Sequence, residues 1–247
     1  MIGSRTKISI TLVLLVMLAV SSCKKSPPEP KTQTPPKNEN KDAHKIPQAV
    51  DKDMIELPTE LPNATFTGTP QNLRGVDNLE PPQGNRPPFY VPKGTVNIAF
   101  GKPVSSSDKE PIFGDLEMIT NGDKDAIEGS CVELGPSLQH ITIDLEDQYE
   151  IYAVLFWHDH RQERAYFDVI VQVANDVDFT ENVRTLFNND IDNSAGLGIG
   201  KDKHYVDTSE GRLVKVDGQK AQFVRLYSSG NNANDMNHYI EVEVFGK

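Results

Sequence analysis

The densest run of side chains able to do chemistry is Trp157-His158-Asp159-His160-Arg161, with Glu163 and Arg164 close behind. Two imidazoles and two guanidinium groups there offer directed hydrogen-bond donors and acceptors beside an aromatic ring. The plainer reading is that they are solvated, or paired with Asp159 or Glu163, because a polar strand end needs no ligand. His158 and His160 could also touch a zinc ion, but an isolated pair lacks the third ligand of a catalytic site. A second polar group is the loop Asn231-Asn232-Ala233-Asn234-Asp235-Met236-Asn237-His238, rich in short amides. A third is acidic. Asp123 and Asp125 sit in the turn Thr120-Asn121-Gly122-Asp123-Lys124-Asp125, and Glu241 and Glu243 alternate with Ile240, Val242 and Val244. Calcium takes about six to eight oxygens, combining carboxylates with main-chain carbonyls of a tight turn. This acidic group is therefore either an ion site or a solvated turn.

Motifs for bond-breaking chemistry are missing: the sequence has no Gly-x-Ser-x-Gly elbow, His-Glu-x-x-His helix or phosphate-binding glycine loop. Gly196-Leu197-Gly198-Ile199-Gly200 has no Rossmann strand before it and no helix after it, so it reads as a turned loop. Cys131, after Ser130 at a strand start, reads as a small buried hydrophobe.

The elements that must position these groups are strands. Ile141, Ile143 and Leu145 alternate with Thr142 and Asp144, the period of a strand with one buried face. After Glu146-Asp147-Gln148, the stretch 149–157 becomes apolar on both faces, as a strand inside a sandwich would. The two predict a hairpin at the centre of an antiparallel domain. Further strands are predicted over 166–174, 184–187, 221–228 and 238–245, with a long Gly- and Asn-rich loop at 188–203. No helical period stands out, and the pattern predicts an all-β sandwich.

The first 92 residues read differently. Arg5 and Lys7, an apolar run over 8–20, and Val20-Ser21-Ser22-Cys23 have the order of a secretory signal, with the apolar run short for a membrane span. Small residues directly before a cysteine resemble the lipobox of bacterial lipoproteins. That resemblance implies a signal peptide over 1–22 and a diacylated Cys23 that holds the chain on a membrane surface. Lys24 follows without the aspartate that favours the inner membrane, so an outer-membrane location in a bacterial envelope is expected. The stretch 24–92 carries 14 of the 17 prolines and few large apolar residues, too little apolar surface to offset chain entropy. Residues 23–92 therefore read as a disordered Pro-rich tether, whose reach at polyproline rise is on the order of 200 Å. Short apolar patches at 54–57 and 88–91 could dock on the domain, but disorder is the favoured reading. A net charge of −11, with no basic stripe, argues against nucleic acid as a partner. With Cys23 lipidated, Cys131 has no partner for a disulfide.

The region 93–247 contains, in order, Asn97-Ile98-Ala99-Phe100-Gly101-Lys102-Pro103-Val104-Ser105, Ile119-Thr120-Asn121-Gly122-Asp123, the strand 141–145, Phe223-Val224-Arg225-Leu226-Tyr227 and the terminal run 241–246. In this ordered set it resembles discoidin-type domains, the family of coagulation factor type C domains and galactose-binding carbohydrate modules. The usual Trp after the Asn-Gly-Asp turn is replaced by Ser130-Cys131-Val132, and the cysteine pair joining the domain ends is missing. The resemblance implies a jelly-roll β-sandwich with a ligand site built from loops at one end. It also implies a structural calcium ion between Asp123 and Glu241, with Asp125 and Ser130 as further ligands. Its carbohydrate modules bind sugar hydroxyls with His, Arg and Asn, which points to His158, His160, Arg161 and Arg164, and to Asn232 and Asn237 in the second loop. The expected function is a surface-tethered, non-catalytic binding lipoprotein that recognises carbohydrate. The alternative is a protein–protein adhesion or scaffold module of the cell envelope.

Overall fold

The computed structural model describes residues 52–65, 73, 75–81 and 84–247. The expected signal peptide, Cys23 and the first part of the expected tether lie outside the described residues. The strands in chain order are β1 (Met54–Glu56), β2 (Tyr90–Pro92), β3 (Val96–Asn97), β4 (Val104–Ser106), β5 (Val132–Leu134) and β6 (Gln139–Trp157). They continue with β7 (Ile170–Ala174), β8 (Arg184–Asn188), β9 (Arg212–Ser228), β10 (Asn237–Tyr239) and β11 (Glu241–Gly246). Among the described residues the one helical element is a 3-10 turn, Leu116–Thr120.

The expected hairpin is instead a single 19-residue strand, β6. Both of its halves run antiparallel to β9, and the register breaks between Asp144 and Tyr149. Glu146 takes φ 67°, so Glu146-Asp147-Gln148 form a bulge that bends the strand rather than a turn that reverses it. The bend lets Ile141, Ile143 and Leu145 meet Ile151, Val154 and Phe156 in one buried core. The two halves thus belong to opposite layers of an all-β sandwich. The first half pairs with β4 and the end of β9, which continues to β7 and β8. The second half pairs with β11, and through it β3, and with the start of β9. The β5–β10 pair adds Val132, Leu134 and Tyr239 to the same core.

The segment 151–157 is apolar on both faces because both faces are covered. Its inner side meets the sandwich core. Its outer side, with Ala153, Leu155, Trp157, Ile240 and Phe245, packs under Leu57 and Val91. Those two belong to an N-terminal arm in which β1 and β2 pair antiparallel and Leu57 N donates to Phe89 O at 2.8 Å. The apolar patches at 54–57 and 88–91 are what docks, so this part of the stretch read as a free tether is built into the domain.

The C-terminal strand also differs from expectation. It divides at Ile240, so that β10 pairs with β5 and β11 with β6. The strand expected over 166–174 begins only at Ile170, preceded by Asp168 at φ 50° and an isolated bridge from Tyr166 to Asn231. Because β6 and β9 both bend, their ends return to one end of the sandwich. There Asn232 N donates to Ala165 O at 3.1 Å, Asp207 N to Arg164 O at 2.8 Å and Asn189 N to Val169 O at 3.1 Å. The loops that follow β6, β8 and β9 therefore form one rim.

Candidate functional site

Asp159 organises this rim. Its carboxylate accepts from Arg161 Nε and Nη2, both at 2.8 Å, and from Arg161 N at 3.1 Å, while Arg164 Nη1 lies 3.1 Å away. Burial alone would favour the protonated acid, but the Arg161 bonds and the Arg164 charge outweigh it and hold the carboxyl below its usual range. A bidentate pair of this kind fixes a guanidinium plane. The Arg161 side chain stays 34% exposed, whereas that of Arg164 is 13% exposed.

Three further groups join these arginines. Tyr166 OH meets His238 Nδ1 at 3.0 Å, and His238 Nε2 lies 3.6 Å from the half-exposed Glu133 carboxylate. Burial, and then the Arg164 charge, push the His238 imidazole down to about 4, so near neutral pH it is an uncharged donor and acceptor. Glu133 pairs across an antiparallel bridge with Phe113, which is 50% exposed. Opposed residues in such a bridge share a face, so an open aromatic ring stands on the same side as Glu133. Asn232 is half-buried, with Oδ1 accepting from Ala165 N at 2.8 Å. The arrangement offers a fixed guanidinium, a half-exposed carboxylate and an exposed ring, backed by a buried neutral imidazole.

Three of the expected binders are held inside instead. His158 is fully buried, stacked on Tyr166 at 4.2 Å and edge-on to Phe156, with Nδ1 3.5 Å from Asp207 Oδ2. His160 is also fully buried, its Nε2 3.1 Å from Lys124 O. Asn237 is a buried staple: Nδ2 donates to Gly135 O and Ser137 O, and Oδ1 accepts from Ser228 Oγ and Gly230 N. None presents its side chain to solvent, and among the described residues no third metal-ligating side chain gathers with the two histidines. The expectation assumed a strand end open to water, but the loops and the N-terminal arm cover it. Sequence reasoning missed Glu133, Tyr166 and Phe113, which come from three separate segments with no shared local signal.

The acidic group is half assembled. Glu241 and Glu243 are both buried, Glu243 beneath Thr59 of the arm and Glu241 against the 121–125 turn. Glu243 accepts from Thr59 Oγ1 at 2.6 Å and from Lys124 Nζ at 2.8 Å. Glu241 Oε2 accepts from Gly122 N at 3.0 Å, while its buried Oε1 has no hydrogen-bond partner among the described residues. Burial, with Glu243 nearby, pushes the Glu241 carboxyl up to about 9. Asp123 and Asp125 are exposed, and Asp123 Oδ1 already takes Asp125 N at 3.0 Å. Ser130 is buried at the end of the same loop. Among the described residues, the group of three or more carboxylate, thiol or imidazole ligand atoms within 4.8 Å of one another is Asp168, Asp190 and Asp192, elsewhere on the rim. Glu241 thus keeps one buried oxygen without a hydrogen-bond partner among the described residues, while Asp123 and Asp125 are exposed and form no ligand group with it.

No family model matches the chain, and no curated protein matches it. Several solved structures are similar. One is a family 89 glycoside hydrolase from Clostridium perfringens, at 21% identity and a TM-score of 0.45, over 62% of this chain and 15% of that one. Another is a fucose binding module of Streptococcus pneumoniae, at 16% identity and a TM-score of 0.43, over 60% of this chain and 96% of that one. A third is CBM32 of AlyQ in complex with 4,5-unsaturated mannuronic acid, at 16% identity and a TM-score of 0.42, over 59% of this chain and 96% of that one. The chain thus spans only 15% of the length of the hydrolase. At these identities and scores the likenesses carry no argument about the ligand, and the functional reading rests on this chain's own side chains.

Proposed function

We propose that the chain is a non-catalytic binding lipoprotein whose rim recognises carbohydrate. The observation that carries this reading is the linked set of Arg161, fixed by Asp159 and felt by neutral His238, Glu133 3.6 Å from His238, and the exposed Phe113 that bridges to Glu133. A sugar offers hydroxyls that both donate and accept, and a C–H face that packs on a ring. The ordered sequence resemblance to galactose-binding modules points the same way. A non-catalytic role is supported by His158 and Asp207, a pair suited to acid–base work that is sealed at 0% and 1% exposure.

The anchor and the ion belong to the same proposal. Diacylated Cys23 would hold the protein on the envelope, with many copies giving avidity to individually weak sites. A calcium ion on Glu241 would neutralise a buried carboxylate and fasten the 121–125 turn to β11. The test is a glycan array with the full-length chain, followed by titration of each hit. Binding that Arg161→Ala and Phe113→Ala both weaken would support the reading. Absence of binding across neutral, amino and acidic sugars would overturn it in favour of a protein partner for the same rim.

A further inference from the structure

The segment 204–211 is gripped on two sides. Outside it lie residues 77–81 and 84–86 of the arm. Glu80 N donates to His204 O at 2.8 Å, His204 Nδ1 meets Asp77 O at 2.9 Å, and Arg86 Nη1 donates to Glu210 O at 2.8 Å. Leu79 and His204 form a parallel bridge, and Arg212, just past the segment, pairs with Glu80 at 2.9 Å while stacking on Tyr205. Inside it lies the loop that carries Asp159 and Arg161. Asp207 N donates to Arg164 O at 2.8 Å, at the end of that loop, and Trp157 Nε1, just before it, donates to Ser209 O at 3.0 Å. A separate contact from the arm, Thr65 Oγ1 to His160 O at 2.7 Å, holds the near side of the loop.

Beyond the hydrogen bonds from Asp207 N and Trp157 Nε1, the side chains that face each other between this segment and the loop are poorly paired, with His158 Nδ1 3.5 Å from Asp207 Oδ2. Both ring nitrogens of His158, both carboxylate oxygens of Asp207, Tyr205 OH and Arg164 Nε are buried without hydrogen-bond partners among the described residues. Buried polar atoms in that condition cost free energy, so the segment's seat over His158 is weaker than its two hydrogen bonds alone would make it, and bonds made from outside add to it. Those outside bonds come from Asp77, Glu80 and Arg86.

We infer that the N-terminal arm is a positioning element of the rim: Asp77, Leu79, Glu80 and Arg86, acting through 204–211, and Thr65 set the backbone of 158–164. The inference deepens the carbohydrate reading, on which its affinity readout rests, but its structural readout needs no ligand. Hydrogen exchange by mass spectrometry on the full chain in detergent would compare the wild type, E80A/R86A, T65V and V173A, the last a core change remote from the arm. Temperatures would be set at equal intervals below each Tm. The arm variants should speed exchange about fivefold in 158–166, the effect expected of losing one hydrogen bond, with 204–211 also faster in E80A/R86A. V173A should leave 158–166 unchanged. Galactose and N-acetylglucosamine titrations should show a matching loss of affinity for whichever sugar binds. Faster exchange confined to 204–211, or an equal response in V173A, would overturn the inference. Coupled exchange with no binding of either sugar would uphold it and count against the carbohydrate reading.

Discussion

At the scale of single residues, the rim works by holding charge still. Arg161 keeps its plane because Asp159 takes two of its donors, and His238 keeps one tautomeric role at a time because burial keeps it neutral. Phe113→Ala should therefore weaken sugar binding by about 1 kcal/mol, roughly fivefold in Kd, without lowering Tm, because the ring is half-exposed. The affinity should be flat from near-neutral pH down to about 5 and fall as His238 protonates towards 4, which titrations at each pH would check. Glu241 gives the opposite kind of pH signature. Its folded value is raised from 4.5 to about 9, so the folded state keeps a proton that the unfolded chain releases in that interval. Stability in chelator should fall as pH rises from about 5 to 8. Glu241→Gln should flatten that slope, and calcium should raise Tm more at pH 8 than at pH 5, since only the ionised carboxylate binds it. A Tm indifferent to both calcium and Glu241→Gln would remove the ion from the proposal.

At the scale of elements, the strands were legible and their connections were not. The alternation of Ile141, Ile143 and Leu145 marked a true strand, but Glu146-Asp147-Gln148 has the same polar composition whether it reverses a chain or bulges it. The division of the last strand at Ile240 leaves no mark in the sequence either, because β10 and β11 carry the same alternation into different pairings. The acidic turn and Glu241 were legible as neighbours, and Gly122 N to Glu241 bears that proximity out. The burial of His158 and His160 was not legible, because the cover comes from residues about 50 and 95 positions away, Asp207 and Thr65. The arm was misjudged for a related reason: its prolines dominate the composition, while its hold comes from a few apolar side chains such as Leu57 and Val91. Leu57→Ala should cost about 2 kcal/mol, read as a lower Tm, although 57 lies in a stretch whose composition suggests a dispensable linker.

At the scale of the whole molecule, the described part of the arm packs back onto the domain whose rim it borders. With β1 and β2 paired, residues 54–56 and 90–92 of the stretch read as a tether are built into the domain. Cys23→Ser should move the chain from the membrane fraction to the soluble fraction while leaving the melting transition in place, which fractionation and calorimetry together would check. A variant that stays with the membrane would remove the anchor from the proposal.

The bent strands β6 and β9 run through both layers and pair with each other on either side of the bend, so one hydrogen-bonded path joins β3 and β11 to β7 and β8. Neither layer can then fray while the other stays intact. The head should accordingly melt in one sharp step seen alike by fluorescence and circular dichroism, with its slowest-exchanging amides spread over both sheets rather than gathered in one.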